Sequence, residues 1–308
     1  MGDREEKVLD QSNLRVNLPW DPNPRKPSFT PPPNTCDTHF HVWGPPNLFP
    51  YAESRRYTPP AAPIEHFWAM ASVIGVQRGF LLHASAHGFD NAVTLDAVAR
   101  SEGRLRAVLR ATDRYDAQTL KTLHAQGVRG MRFNFIERLK TSAETGLFDA
   151  GRLQKVASQL APLDWFIDLH IEAPLIVKNA DLLRRLPVPV VIDHFGKVNL
   201  AEGVDQPAVR AMLDLLGEPN MWIKVSGSAE RVSVGGTLEQ LTKLARALIA
   251  RAPDRVVWGS DWPHSDVFEP GHTPNDGDLM NMVLDFAPEE AVRRKILAEN
   301  PARLADFG

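Results

Sequence analysis

The chain has 308 residues and a formal net charge of −3, with 43% hydrophobic and 24% charged residues. These values are typical of an ordinary globular protein, and they exclude the basic surface that nucleic-acid or anionic-membrane binding requires. The single cysteine, Cys36, excludes an intrachain disulfide and a zinc site built on paired cysteines.

The N-terminal residues predict neither a secretory signal nor a membrane anchor. The segment MGDREEKVLDQSNLRV is charged and has no apolar core. No run of about 18 apolar residues follows anywhere in the sequence. We therefore expect a cytoplasmic protein with no membrane or nucleic-acid partner.

Residues 1–35 are polar and then rich in proline, and we expect them to form an N-terminal arm over a folded body. Residues 36–308 are predicted to form one domain, in which short apolar runs alternate with segments of helical periodicity. The eight apolar runs span residues 36–42, 78–85, 105–111, 127–135, 165–173, 188–196, 221–228 and 255–263.

Eight strand–helix units predict a parallel sheet closed into a (β/α)₈ TIM barrel, an α/β fold. The competing architecture is a doubly wound open sheet. That fold is disfavoured because no glycine-rich phosphate-binding loop follows the first predicted strand.

Polar side chains crowd the C-terminal ends of the predicted strands, where barrels of this kind carry their active sites. His39 and His41 are two residues apart on the first strand, so their side chains share a face. The fifth, sixth and eighth strands end with His170, His194 and Asp261. We predict a catalytic centre built from His39, His41, His194 and Asp261.

Two hydrolytic chemistries fit this set. In one, a divalent metal such as zinc or manganese lowers the pKa of a bound water and polarises a carbonyl group. Its predicted ligands are His39, His41, His170 and Asp261. In the other, Asp261 takes a proton from water while the histidines donate hydrogen bonds to the developing oxyanion. Neither chemistry needs an organic cofactor.

Arginines form a second cluster at the same rim of the predicted barrel. Arg132 and Arg138 lie in the fourth strand and the loop after it, and Arg231 follows the seventh strand. Strand alternation assigns Arg132 to the pocket and Arg129 to an outer helix contact. Guanidinium groups bind carboxylates in bidentate geometry, so we expect a small anionic substrate. Further hydrogen bonds can come from Tyr57, in the long loop after the first strand, and from Ser85, at the end of the second strand.

Six segments together resemble the amidohydrolase superfamily, and more narrowly its 2-pyrone-4,6-dicarboxylate lactonase branch: DTHFHVWGP, LHASAHG, GVRGMRFNFIERL, VVIDHFGK, WGSDWPH and NPARL. The resemblance runs from about residue 35 to residue 308. It implies a (β/α)₈ barrel that hydrolyses a small carboxylated lactone in the catabolism of aromatic compounds.

The resemblance also implies roles for individual side chains. Asp261 resembles the base that activates water. The residues that polarise the lactone carbonyl are matched by His39, His41 and His194. Positions that hold the substrate carboxylates and ring oxygen are matched by Tyr57, Ser85, Arg132, Arg138 and Arg231.

One position departs from that branch. The dicarboxylate lactonases carry a substrate-binding tyrosine at the end of strand 5 and are regarded as working without a metal, whereas this chain has His170. A histidine there is a ligand in metal-dependent members of the superfamily, or it replaces the phenol as a donor to a substrate carboxylate. Both roles of His170 stay open.

The sequence permits two further enzyme classes on the same barrel, a metal-dependent decarboxylase and a lactone isomerase. A non-catalytic small-acid binding protein is disfavoured because the histidine and aspartate set is complete. The sequence does not determine whether the protein forms a homo-oligomer.

Overall fold

The computed structural model describes residues 14–136, 148–227 and 235–307. Ten strands occur there: β1 (Arg15–Val16), β2 (Cys36–Phe40), β3 (Tyr57–Thr58), β4 (Arg78–Leu82), β5 (Leu105–Arg110), β6 (Val128–Phe135), β7 (Phe166–Ile171), β8 (Val190–Ile192), β9 (Met221–Val225) and β10 (Val256–Trp258). Strands β2 and β4–β10 form one parallel eight-stranded sheet, and β1 pairs with β3 outside it. All eight predicted barrel strands are confirmed.

Helices connect these strands: α1 (Ile64–Ile74), α2 (Ala92–Ala99), α3 (Ala117–Ala125), α4 (Ala150–Leu160), α5 (Ala173–Leu183), α6 (Pro207–Leu215), α7 (Leu238–Arg251), α8 (Asp276–Phe286), α9 (Glu290–Arg294) and α10 (Asn300–Leu304). Each longer helix buries one face. In α7, for example, Leu241, Leu244, Ala245 and Leu248 are buried at the spacing of a single helical stripe. None of the helices in the described ranges is long and apolar enough to cross a membrane.

The sheet closes into a barrel where β10 meets β2. Phe40 forms a parallel bridge with Trp262, and the His41 amide donates to the Trp262 carbonyl at 2.8 Å. The Asp261 amide donates to the His39 carbonyl, also at 2.8 Å. This edge, the closing seam (residues 36–41 and 256–262), therefore carries both histidines of the first strand and Asp261.

Two predicted strands end earlier than the apolar runs suggested. Strand β8 ends at Ile192 and β10 ends at Trp258, so His194 and Asp261 follow their strands. Both residues have positive φ, at 48° and 70°. A left-handed backbone cannot continue a strand, and it turns these side chains away from simple alternation.

Residues 14–35 lie over the barrel. The Asn17 side chain donates to the carbonyl of His264 and accepts from the amide of Val267. The Trp20 ring packs 5.2 Å from that of Trp262, which belongs to the closing seam. The arm therefore covers the loop that follows Asp261.

Candidate active site

The predicted quartet comes together at the closing seam. His39 Nε2 lies 3.5 Å from Asp261 Oδ1, and His41 Nε2 lies 3.9 Å from the same oxygen. The His194 ring centroid lies 4.5 Å from that of His39. The side chain of Asp261 is 20% exposed while that of His39 is fully buried, so the carboxylate forms the solvent-facing part of the group.

Close backbone packing holds Asp261 against the first strand. A Cβ atom on Gly259 would lie 2.6 Å from the Cβ of His39, so only glycine allows β10 to approach β2 this closely. Buried Asp37 then accepts hydrogen bonds from the Ser260 hydroxyl and amide and from the His39 amide. One carboxylate thus connects the two sides of the seam directly below the catalytic residues.

His170 lies on the other side of His194, with the two rings nearly perpendicular and 5.2 Å apart. Both ring nitrogens of His170 are buried and have no hydrogen-bond partner within the described residues. Burial lowers the pKa of His170 well below its usual value, so this imidazole is neutral at pH 7. It is suited to receive a substrate hydrogen bond or a metal.

Two of the four remaining predicted contact residues lie within the described part of the chain. Tyr57 is buried in β3 with its ring edge-on to those of Trp43 and Phe268. Ser85 begins a short 3₁₀ turn (Ser85–His87) after β4 and is half-buried. Arg138 and Arg231 lie outside the described residues. The substrate contacts expected of these four residues stay predictions.

Four charged side chains fill the barrel beneath the histidines and form the buried charge cluster: Arg132, Asp168, Asp193 and Lys224. Arg132 lies 3.2 Å from Asp168 through Nε and 2.9 Å from Asp193 through Nη2. Lys224 Nζ lies 2.5 Å from Asp168 and 2.8 Å from Asp193. Two positive and two negative charges therefore pair with each other inside the barrel.

Sequence reasoning assigned Arg132 to the pocket, and the structure pairs it with Asp168 and Asp193 inside the barrel. The sequence analysis did not identify Asp168 or Lys224. Both were visible as charged residues inside apolar strands, at WFIDLHIEA and MWIKVSG. Asp168 also shares its strand face with His170 by alternation. Arg129 points the other way, donating to the His124 carbonyl at the end of α3, as predicted.

The neutral form of His41 presents a lone pair to the pocket. Burial lowers the pKa of His41 to about 3. Its Nδ1 lies 3.0 Å from the Leu82 carbonyl, which can only accept, so Nδ1 carries the proton and Nε2 does not. A neutral His41 in this tautomer cannot donate to a substrate carbonyl, which alters the role that the sequence suggested.

The contacts of His194 also distinguish its two ring nitrogens. Its Nε2 lies 3.4 Å from Nη2 of Arg132, a group that only donates, while Nδ1 lies 2.9 Å from the Ser226 hydroxyl. In a neutral His194 the proton therefore belongs on Nδ1, which donates to the Ser226 hydroxyl. In this arrangement His194 supports the guanidinium group of Arg132.

The donor set suits a divalent cation. Within the described residues, two groups have ligand atoms within 4.8 Å of one another: His39, His194 and Asp261, and His39, Asp168 and Asp193. Two imidazoles and a carboxylate are ordinary zinc ligands, so the first group fits such an ion. The structure does not group His41 and His170 with them, and the predicted four-residue ligand set stays a prediction. The second group surrounds the ammonium of Lys224.

Comparison with known proteins agrees with this barrel fold. The amidohydrolase family model matches residues 36–307, which is nearly the whole barrel. The chain belongs to the amidohydrolase family.

This amidohydrolase is similar to enzymes that are named as lactone hydrolases. It is 44% identical over 278 residues to a 4-sulfomuconolactone hydrolase of Hydrogenophaga intermedia, covering 90% of each chain. It is 35% identical over 297 residues to a 2-pyrone-4,6-dicarboxylate hydrolase of Comamonas testosteroni, covering 93% of this chain and 95% of the other.

A solved structure of similar fold comes from Acinetobacter baumannii. It is described as a probable 2-pyrone-4,6-dicarboxylic acid hydrolase with citric acid bound. It has 26% sequence identity and a TM-score of 0.75, covering 89% of this amidohydrolase and all of that chain.

Proposed function

We propose that this amidohydrolase hydrolyses the ring ester of a small anionic lactone. The observation that carries the proposal is the Asp261 carboxylate, which is partly exposed and has His39 Nε2 and His41 Nε2 within 4 Å. A carboxylate beside neutral imidazoles at the end of a barrel strand can take a proton from water. The relatives named as lactone hydrolases support the reaction class.

Asp261, His41 and His39 have different roles in the attack of water on the lactone carbonyl. Asp261 takes the proton that the water loses as it adds to the lactone carbonyl. The lone pair of His41 Nε2 accepts a hydrogen bond from the other water hydrogen, which orients the oxygen for attack. His39 faces the same space through Nε2 and is the candidate donor to the carbonyl oxygen.

The arginines near the site and the named substrates of the relatives both support a negatively charged substrate. Arg132 reaches the site beside His194, and Arg138 and Arg231 are the further candidates for holding anionic substituents. The named substrates of the relatives carry sulfonate or carboxylate groups.

We propose a carboxylated lactone like 2-pyrone-4,6-dicarboxylate. The sulfonated lactone is a second candidate because the relative named for it has the higher identity. Such a substrate fits the catabolism of aromatic compounds.

A divalent ion would be held by His39, His194 and Asp261. When bound, it would lower the pKa of a water and polarise the carbonyl group. Under either chemistry Asp261 stays next to the water and the arginines stay responsible for the anionic substituents.

The test is hydrolysis of a lactone panel by the wild type and by Asp261→Asn. The panel contains 2-pyrone-4,6-dicarboxylate, 4-sulfomuconolactone and a neutral lactone of similar size. We expect the anionic lactones to be preferred and Asp261→Asn to lose about 10²- to 10⁴-fold in kcat, the usual contribution of general-base catalysis. Asp278→Asn, an exposed carboxylate on α8 paired with Arg25, is the matched control.

Product analysis separates hydrolysis from isomerisation and decarboxylation. Hydrolysis in labelled water places one solvent oxygen in the new carboxylate, isomerisation places none, and decarboxylation releases carbon dioxide. Undiminished activity of Asp261→Asn, or no turnover of any panel lactone, would contradict the proposal.

A further inference from the structure

The ammonium group of Lys224 lies directly against a histidine of the candidate active site. Its Nζ is 3.1 Å from His39 Nδ1, 2.5 Å from Asp168 Oδ2 and 2.8 Å from Asp193 Oδ1. All four side chains are at most 1% exposed. We propose that Lys224 is a positioning residue that selects the tautomer of His39, with Nδ1 accepting from the ammonium and the ring proton on Nε2.

Counting hydrogens supports this tautomer. A lysine ammonium has three protons and no lone pair, and here it has three neighbours that can accept. All three protons are used only when His39 Nδ1 is unprotonated. The opposite tautomer sets the imidazole N–H against the ammonium and leaves one charged donor without an acceptor inside the barrel. Buried charged donors are costly to leave unpaired.

Asp193 offers the competing arrangement. Its Oδ1 lies 3.2 Å from His39 Nδ1 and would accept a proton placed there. However, this carboxylate already accepts from Lys224 on Oδ1 and from Arg132 on Oδ2. It therefore loses little when His39 does not donate to it, whereas Lys224 would lose its third acceptor.

The tautomer decides what His39 offers to the pocket. With the proton on Nε2, His39 is a hydrogen-bond donor on the side that faces Asp261, 3.5 Å away. A metal ion requires a lone pair at that nitrogen. Lys224 thus places a positive charge among His39, Asp168 and Asp193. This charge and the proton on Nε2 both disfavour a cation bound to His39 Nε2. His41, held by the Leu82 carbonyl, has the reverse tautomer.

The tautomer of His39 does not depend on which substrate is turned over, so it is tested on the resting enzyme. Nitrogen-15 labelling of the histidines distinguishes the two neutral tautomers by NMR. The His39 signals are those missing from His39→Gln. We expect the proton on Nε2 in the wild type. A proton on Nδ1 of wild-type His39 would overturn the inference, whatever the lactone assays give.

A charge-balanced variant tests whether Lys224 determines the tautomer of His39. Lys224→Met combined with Asp168→Asn removes one positive and one negative charge and leaves Asp193 as the acceptor nearest to Nδ1. We expect the His39 proton to move to Nδ1. We also expect the affinity for added zinc chloride to rise roughly 10- to 100-fold, which is the usual effect of residues that hydrogen-bond to a metal ligand.

Lys243→Met, an exposed lysine on α7 paired with Glu239, is the matched control and should leave both readouts unchanged. A folded double variant with the wild-type tautomer and zinc affinity would overturn the inference. If the double variant does not fold, the wild-type spectrum alone decides the tautomer.

Discussion

At the scale of single residues, the candidate site depends on which histidine nitrogens carry protons. Burial lowers the pKa of His39, His41 and His170, so all three are neutral at pH 7 and each has one donor and one acceptor nitrogen. The Leu82 carbonyl directs the His41 lone pair toward Asp261. Lys224 is proposed to direct the His39 proton to the same place. One imidazole therefore accepts where the other donates.

The position of the His194 ring depends on a glycine that packs against it. Gly227 has a φ of +64°, and a Cβ atom there would lie 2.9 Å from His194 Nδ1. We expect Gly227→Ala to displace His194 and Arg132 and to lower kcat/KM roughly 10²-fold, as small misplacements in active sites do. Steady-state kinetics on the preferred lactone measure the loss.

Gly203→Ala is the matched control for Gly227→Ala. Gly203 has a similar φ of +75° but nothing within 4 Å of a Cβ atom. Both variants should lose about 1–3 kcal/mol of stability because alanine is strained at positive φ, and only Gly227→Ala should lose activity. Equal activity in the two variants would contradict a role for the position of His194 in catalysis.

At the scale of secondary-structure elements, the closing seam creates the site. Strand β10 ends at Trp258, and the following residues continue beside β2 through single hydrogen bonds. The buried carboxylate of Asp37 connects the two sides, and burial raises its pKa to about 7. His39, His41 and Asp261 are neighbours because the first and last strands meet here, although they are far apart in the sequence.

A methyl group at Gly259 should open this seam. The Cβ atom would lie 2.6 Å from His39 Cβ and 2.8 Å from its backbone nitrogen, and neither atom can move without shifting β2. We expect Gly259→Ala to lower the unfolding free energy by about 1–3 kcal/mol, the usual cost of overpacking, and to reduce lactone hydrolysis. Urea titration and kinetics measure the two effects.

Gly151→Ala is the control because it adds the same methyl group near the start of α4, where the nearest atom is 3.5 Å away. It should leave activity intact and keep or slightly raise stability. A seam variant that behaves like this control would contradict the importance of the close approach.

At the scale of the whole molecule, the arm and the barrel form one packed body. Asn17 is 1% exposed and connects the arm to the loop after Asp261 through the His264 carbonyl and the Val267 amide. Asn17→Ala leaves both backbone groups without this partner, so the unfolding free energy should fall by about 1–3 kcal/mol. Urea unfolding is the measurement.

Asn23→Ala is the matched control for the arm, because the Asn23 side chain is exposed and its contact with Asn275 uses only the backbone carbonyl. Its stability should match the wild type. If both variants unfold at the same urea concentration, the arm contributes nothing through Asn17.

Buried neutral histidines also make whole-molecule stability depend on pH. Burial lowers the pKa of His83 to about 4, below the value of about 6.5 in an unfolded chain. Between these values the unfolded chain binds a proton that the folded protein does not. The stabilising contribution of neutral His83 is therefore complete above about pH 6.5 and is lost as the pH falls.

His83→Gln isolates this contribution. The unfolding free energy of the wild type minus that of the variant should fall by about 1.4 kcal/mol per pH unit from pH 6.5 to pH 4. Above pH 6.5 the difference should be constant. Urea titrations at several pH values measure it, and a difference independent of pH over this range would show that His83 is not buried in its neutral form.

The sequence by itself determined the barrel and most of its rim. Eight apolar runs in alternation with amphipathic segments require a parallel sheet covered by helices, and strand-end histidines and Asp261 then belong at one mouth. These features are local, because periodicity and composition are properties of neighbouring residues.

Only the tertiary structure decided the protonation pattern and the ion pairing. Lys224 and Asp168 are distant in sequence, and nothing local indicates that their charges meet beneath His39. His194 and Asp261 take left-handed backbones that strand alternation does not predict. Hydrogen-bond partners and burial fix which nitrogen of a histidine is a donor, and both arise only when separate strands pack together in one barrel.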